Sequence, residues 1–236
     1  MNRAKKRHQK NLARKALKKK RGHPPQPPKQ TGSGVPVDKL LELAQKGLQL
    51  HQAGQLQEAE IVYRQILDIK PDFAEAHNNL GIVLRELGRL DDAVASYEKA
   101  LTFKPDYAEA NYNLGNTLRE LGQMDDAVAS YDKAIALNPD YAKAHNNLGN
   151  TLKELGRFDD AVASFQKAIA LKPDFSEANY NLGNALQDLG SLDAAAASYY
   201  KAISHKPDYA IAHNNLGTAL NKLGQLEESL SSYEKA

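Results

Sequence analysis

The side chain whose type and spacing most invite chemistry in this chain is asparagine. It recurs at Asn79, Asn113, Asn147, Asn181 and Asn215, at one constant interval, and each copy opens an Asn-Leu-Gly tripeptide. Asn116, Asn150 and Asn184 follow three residues later in three of the copies. An amide side chain carries an acceptor oxygen and donor hydrogens, so it can pair with both groups of a peptide unit. A column of such amides would hold an extended polypeptide by its backbone, with little regard for its side chains. The same column has an alternative use, binding water or a neighbouring helix. Asn78, Tyr112, Asn146, Tyr180 and Asn214 stand one residue before it, and Arg85, Arg119 and Lys153 stand six residues after it. Together these form the candidate binding set.

Other chemistry is harder to assemble. His77, His145 and His213 recur at twice the asparagine interval, once in every second copy. If each copy is a packed helix pair, with helix axes roughly 8–10 Å apart, residues two copies apart are separated by about 20 Å. A zinc ion needs its ligands roughly 2 Å away, so these histidines do not share one site. The pairs Asp91/Asp92, Asp125/Asp126 and Asp159/Asp160 repeat with the asparagine period and read as negative charge at helix N-termini. The glycines of the repeats stand singly, so no Gly-rich phosphate loop forms, and no Ser/His/Asp set is recognisable. The chain has no Cys, which removes disulfides, thiolate nucleophiles and thiolate metal sites. That composition fits a reducing, cytoplasmic compartment. No apolar run approaches the roughly 18 residues of a membrane span. No catalytic residue and no cofactor follow from this reading.

The asparagines are one column of a repeat that fills most of the 236 residues. A Gly column runs Gly54, Gly88, Gly122, Gly156, Gly190 and Gly224, and a Pro column runs Pro71, Pro105, Pro139, Pro173 and Pro207. Units 108–141 and 142–175 are identical at well over half of their positions, far beyond compositional chance. In the unit 74–107, Ala76, Leu80, Val83, Leu84 and Leu87 recur at helical spacing. Gly88 suits a left-handed C-terminal cap. A second stripe follows: Leu90, Ala93, Val94, Tyr97, Ala100 and Leu101. Lys104 and Pro105 close it. Asp72/Glu75, Asp106/Glu109 and Asp174/Glu177 have the spacing of capping boxes. The spacing therefore predicts an all-α chain of helix pairs, in units 40–73, 74–107, 108–141, 142–175, 176–209 and an incomplete 210–236.

This pattern resembles the tetratricopeptide repeat, carried in the third unit by Leu114, Gly115, Leu118, Ala127, Tyr131, Ala134 and Pro139. The family's early Trp is replaced by His77, Asn111, His145, Asn179 and His213, and its mid-helix Tyr by Leu84, Leu118, Leu152, Leu186 and Leu220. The resemblance implies a right-handed α-solenoid over 38–236, whose first helices line a concave groove that takes protein or peptide ligands. The asparagine column is similar to that of the repeat region in O-linked N-acetylglucosamine transferases. That likeness implies a second role, the substrate-recognition part of a longer glycosyltransferase or sulfotransferase with its catalytic domain beyond residue 236. A carboxylate clamp of the chaperone-binding type is disfavoured, because its groove lysine positions hold Asn78, Tyr112, Asn146, Tyr180 and Asn214. The end at Ala236, with Leu220, Leu223, Leu226, Leu230 and Tyr233 left as an apolar face, leads to the expectation that the chain continues.

The net charge of +2 conceals an asymmetry. Residues 1–37 hold 12 Lys and Arg and no acid, whereas 38–236 hold 19 basic residues against 29 acids, a net of −10. Residues 1–22 read as a disordered basic tail, and 23–37 as a Pro/Gly/Ser-rich linker. The tail is either a solubilising segment or a contact for an anionic partner, and Lys18, Lys19, Lys20 and Arg21 also suit nuclear import. It lacks aromatic residues for base stacking, so nucleic-acid binding through it would be non-specific and salt-dependent. On that reading, deleting residues 1–22 should abolish a salt-sensitive interaction with nucleic acid while groove substitutions leave it intact, as a binding titration across salt concentration checks.

Overall fold

The computed structural model describes residues 37–236, so the expectations for the basic tail, and for the linker up to residue 36, lie outside the described residues. The described residues form twelve helices. They are α1 (Val37–Gln52), α2 (Leu56–Ile69), α3 (Ala74–Glu86), α4 (Leu90–Phe103), α5 (Ala108–Glu120), α6 (Met124–Leu137), α7 (Ala142–Glu154), α8 (Phe158–Leu171), α9 (Ser176–Asp188), α10 (Leu192–His205), α11 (Ala210–Lys222) and α12 (Leu226–Tyr233). Each repeat unit supplies one pair, and each pair packs on the next. The first helices α3, α5, α7, α9 and α11 also touch one another in succession, which places them on the inner side of the curving array.

Two glycine positions make this geometry possible. Gly88 has φ 75°, and its N–H bonds Arg85 O at 2.9 Å while Arg89 N–H bonds Leu84 O at 2.9 Å. This double closure ends the helix and requires the left-handed backbone that glycine adopts cheaply. The second is the glycine of the Asn-Leu-Gly tripeptide. A Cβ on Gly183 would lie 2.5 Å from Cε1 of Tyr199, and one on Gly149 would lie 2.6 Å from Cε1 of Phe165. The first helix closes onto the face of an aromatic ring from the second helix, and only a hydrogen fits between them. Tyr97, Tyr131, Phe165 and Tyr199 are fully buried there, among Ala93, Ala127, Ala161 and Ala195.

The capping boxes do not form. The N-caps of α3, α5, α7, α9 and α11 are Phe73, Tyr107, Tyr141, Phe175 and Tyr209, with no side-chain cap bond. Each Asp stands one residue too early, and the aromatic takes the cap position because its ring packs on the linker. Lys70, Lys104, Lys172 and Lys206 hold their ammonium groups 4.4–5.1 Å from the centroids of Phe73, Tyr107, Phe175 and Tyr209. At the remaining end, Leu220 is buried in a cluster with Ala195, Ala196 and Tyr199 of α10, contrary to expectation, while Leu226, Leu230 and Tyr233 are exposed.

The histidines brace the linkers. Nε2–H of His77, His145 and His213 donates to the carbonyl of Pro71, Pro139 and Pro207 at 2.9, 3.1 and 2.9 Å. In the alternate repeats Asn111 and Asn179 donate instead to Tyr107 O and Phe175 O, at 3.2 and 3.1 Å. Burial holds the pKa of His77 and of His145 below the ordinary 6.5, more strongly than the proline carbonyls raise it.

The tight glycine–ring contact and the buried histidines can each be tested. Gly183→Ala forces three ring carbons of Tyr199 to move, at about 1–3 kcal/mol of overpacking. A gain of about 1 kcal/mol in helix propensity offsets part of it. A net loss of up to about 2 kcal/mol is therefore expected in urea unfolding followed by circular dichroism. For the histidines, the unfolded chain binds protons near pH 6.5 that the folded chain refuses, so their contribution is full above pH 6.5 and declines as pH falls below it. The His77→Asn/His145→Asn double variant, which copies the alternate repeats, should lose most of that slope when melting temperature is measured between about pH 5 and 7.

Candidate functional site

The asparagine column lies on the inner helices, and its first use is between repeats. Asn113 Nδ2 donates to Asn78 Oδ1 at 3.1 Å, and Asn181 Nδ2 donates to Asn146 Oδ1 at 3.0 Å. Asn147 Nδ2 donates to Tyr112 OH at 3.1 Å and to Asn116 Oδ1 at 2.8 Å. Asn215 Nδ2 repeats that pair on Tyr180 OH and Asn184 Oδ1, at 3.2 and 2.9 Å. The alternation along the sequence is therefore an alternation of interface chemistry: Asn on Asn at one junction, Asn on Tyr plus Asn at the next.

This placement redistributes the candidate binding set. Asn78 and Asn146, each 1% exposed, are spent inside the interfaces and offer nothing to a ligand. Asn147 and Asn215 have committed both amide hydrogens; Asn215 Oδ1 remains to accept, and Asn147 Oδ1 already takes one 3.3 Å bond from Asn146 Nδ2 and has one lone pair left. Asn113 and Asn181 are buried and keep one hydrogen and the oxygen. The second row has the opposite character. Asn116 Oδ1 accepts from Tyr131 OH at 2.8 Å as well as from Asn147, and Asn184 Oδ1 accepts from Tyr199 OH at 2.8 Å as well as from Asn215. Their Nδ2 groups are left to donate. Asn150 faces Phe165, which has no hydroxyl, and makes no side-chain hydrogen bond among the described residues. Asn214 is exposed. Asn79 is half-buried, and its Oδ1 takes a long 3.4 Å bond from Asn78.

Sequence reasoning used Tyr131 only as a repeat-signature residue and missed that it and Tyr199, both fully buried, donate by their hydroxyls to Asn116 and Asn184 of the inner helices. The signal was present: a tyrosine stands at the same offset after Asn116 and after Asn184, whereas Phe165 stands there after Asn150. Burial pushes both phenols well above their ordinary pKa, so they remain donors. Tyr97 has Ile82 at the matching position, and its buried hydroxyl lacks a hydrogen-bond partner. The linker aromatics were also missed as groove features. Tyr141 packs on Tyr112 with ring centroids 4.8 Å apart, and Tyr209 on Tyr180 at 5.3 Å.

The basic residues of the set are paired along the inner surface. Arg85 Nε lies 3.8 Å from Glu120 Oε1, Arg119 Nη1 3.7 Å from Glu154 Oε1, and Lys153 Nζ 4.0 Å from Asp188 Oδ2. Each pair joins a repeat to the next. These half-exposed pairs contribute little stability, about 0–1 kcal/mol each, but they occupy the cations that a carboxylate clamp would need. No cluster of three His, Asp or Glu side chains able to hold a metal occurs among the described residues, and no helix there is long and apolar enough to cross a membrane.

Comparison with known proteins agrees with the helix-pair geometry. The TPR repeat family matches residues 47–85, 81–118, 115–156, 149–190 and 183–224. The structure is similar to that of MamA, at 31% identity and TM-score 0.63, covering 66% of this chain and 91% of that one. It shares its fold with YrrB, described as a TPR protein with an unusual peptide-binding site, at 24% identity and TM-score 0.63, covering 73% and 89%. PilF of Pseudomonas aeruginosa shares the fold at 22% identity and TM-score 0.74, covering 83% and 89%. No curated protein sequence matches the chain. The unbroken run of matched repeats, each a helix pair closed on a glycine–aromatic contact, shows that this chain belongs to the TPR repeat (tetratricopeptide) family.

Proposed function

We propose that the inner surface binds an extended segment of a partner protein, holding it chiefly by its backbone. The observation that carries this reading is the pair of asparagine rows with opposite free groups. Asn113, Asn147, Asn181 and Asn215 keep a lone pair on Oδ1 with which to accept, Asn116 and Asn184 keep Nδ2 hydrogens with which to donate, and Asn150 keeps both groups. One row suits the N–H groups of a bound chain and the other its C=O groups. Internal bonds hold every member of the two rows except Asn150 in advance, which lowers the ordering cost of binding. The chain then acts as an interaction scaffold without chemistry of its own, in the manner the family implies. A recognition role beside a glycosyltransferase or sulfotransferase domain would use the same two rows, and the reading frame beyond Ala236 separates the two roles.

The Asn116→Asp/Asn150→Asp/Asn184→Asp variant keeps the acceptor oxygens that hold Tyr131, Tyr199, Asn147 and Asn215 but removes every donor of the second row. Peptides selected on the full chain from a random twelve-residue library are expected to bind it at least ten-fold more weakly, with helicity unchanged. Unchanged affinity by fluorescence anisotropy would refute the backbone-holding reading.

A further inference from the structure

In four of the five described linkers a lysine of the chain itself covers an aromatic ring, and in one of these a carboxylate shares the ammonium. The filled version is at α3–α5. Lys104 Nζ lies 2.9 Å from Glu75 Oε1 and 4.4 Å from the centroid of the Tyr107 ring, so a carboxylate and an aromatic face share one ammonium. Moving one repeat along the chain gives Glu109, Tyr141 and, in place of the lysine, Asn138. Asn138 turns away, its Oδ1 accepting from the Asp140 N–H at 3.3 Å. Glu109 makes no salt bridge and no side-chain hydrogen bond among the described residues. Tyr141 is the one linker aromatic, among Phe73, Tyr107, Tyr141, Phe175 and Tyr209, that has no lysine of the described residues over its ring.

The empty version is also better built. Where the filled site has Asn78, this one has Tyr112, whose ring lies 4.8 Å from that of Tyr141. Glu109 and Tyr112 are three residues apart on α5 and share a face. Two packed aromatic rings thus lie beside a carboxylate one helical turn away on the same face of α5. The other junctions do not match. Lys206 covers Tyr209 at 4.7 Å, and Glu177 there accepts from Asn146 Nδ2 at 3.1 Å. Lys172 covers Phe175 at 5.1 Å with Lys143 at the carboxylate position.

We infer that Glu109, Tyr112 and Tyr141 form a subsite for a lysine side chain presented by the bound peptide, replacing the internal lysine that this junction lacks. The carboxylate supplies the ion pair and the ring faces supply cation–π attraction, the combination that Lys104 already satisfies inside the molecule. Tyr112 also accepts from Asn147 in the first asparagine row, so the subsite adjoins the backbone-holding surface. The inference rests on the groove reading and adds a side-chain preference to it: a ligand with lysine at the position opposite the junction of α5 and α7.

The test uses the full chain with ring-labelled tyrosine. N-acetyl-lysine-methylamide is expected to shift the Tyr112 and Tyr141 ring signals with a millimolar saturation curve, whereas the norleucine analogue, which lacks only the ammonium, leaves them in place. Asn138→Lys supplies the missing internal ammonium and should abolish the titration while raising melting temperature. Should that variant misfold, Glu109→Gln at an exposed position serves instead, with an expected five-fold or greater weakening. Equal shifts from both analogues, or an unaltered titration in Asn138→Lys and Glu109→Gln, would overturn the subsite. Library-selected peptides separate the two levels. If they bind the groove equally well with lysine or norleucine, the groove reading survives and the subsite falls. If the lysine analogue titrates as expected but no peptide is affected by the asparagine variants, the subsite stands and the backbone-holding reading falls.

Discussion

The contact on which the structure depends is that between a glycine of the first helix and an aromatic ring of the second. It fixes how closely the two helices of a repeat approach. It also fixes where the far end of the ring emerges. In two repeats, at Tyr131 and Tyr199, the hydroxyl at that end reaches an asparagine oxygen of the inner helices at 2.8 Å. The same oxygen receives the amide of the next repeat's column asparagine. One close approach in the core is thereby connected through two hydrogen bonds to the interface between repeats and to the surface that faces a ligand.

Because each link is local, the array builds its groove by repetition, and its variations stay local as well. Phe165 for tyrosine leaves Asn150 without an internal partner. Ile82 for asparagine leaves the Tyr97 hydroxyl buried without one. Asn138 for lysine leaves Glu109 and Tyr141 without a cation. The alternation of Asn78, Tyr112, Asn146, Tyr180 and Asn214 gives the groove a two-repeat unit, with aromatic patches at Tyr112–Tyr141 and Tyr180–Tyr209 separated by asparagine-only junctions. The cations Arg85, Arg119 and Lys153 tie successive repeats to one another and add little specificity of their own.

Much of the architecture was legible in the sequence, because period and glycine position act through short-range rules. The regular repeat spacing, the apolar stripes and the left-handed glycines located every helix pair from α3 to α11. The capping boxes at Asp72, Asp106 and Asp174 failed because each helix begins one residue later than the local rule assumes, with the following aromatic at the N-cap under a lysine ammonium three residues back. The burial of Leu220 differed from expectation because it packs in a cluster with Ala195, Ala196 and Tyr199 of α10.

The sequence by itself determined that this chain is a tandem helical array and that asparagine, tyrosine and a few charges occupy its inner face. Residue type and period carry that information. Only the tertiary structure decided what each of those side chains has left to give. An amide has a fixed number of hydrogens and lone pairs, and which are already taken depends on a partner in the neighbouring repeat, as Asn147 is held by Asn116 and Asn113 by Asn78. Asn78 and Asn146, chosen by spacing as binding residues, proved to be interior partners. Tyr131 and Tyr199, given no binding role by spacing, proved to be the buried donors that hold Asn116 and Asn184. Helical spacing names the face of a residue, but hydrogen-bond saturation and burial are settled between helices.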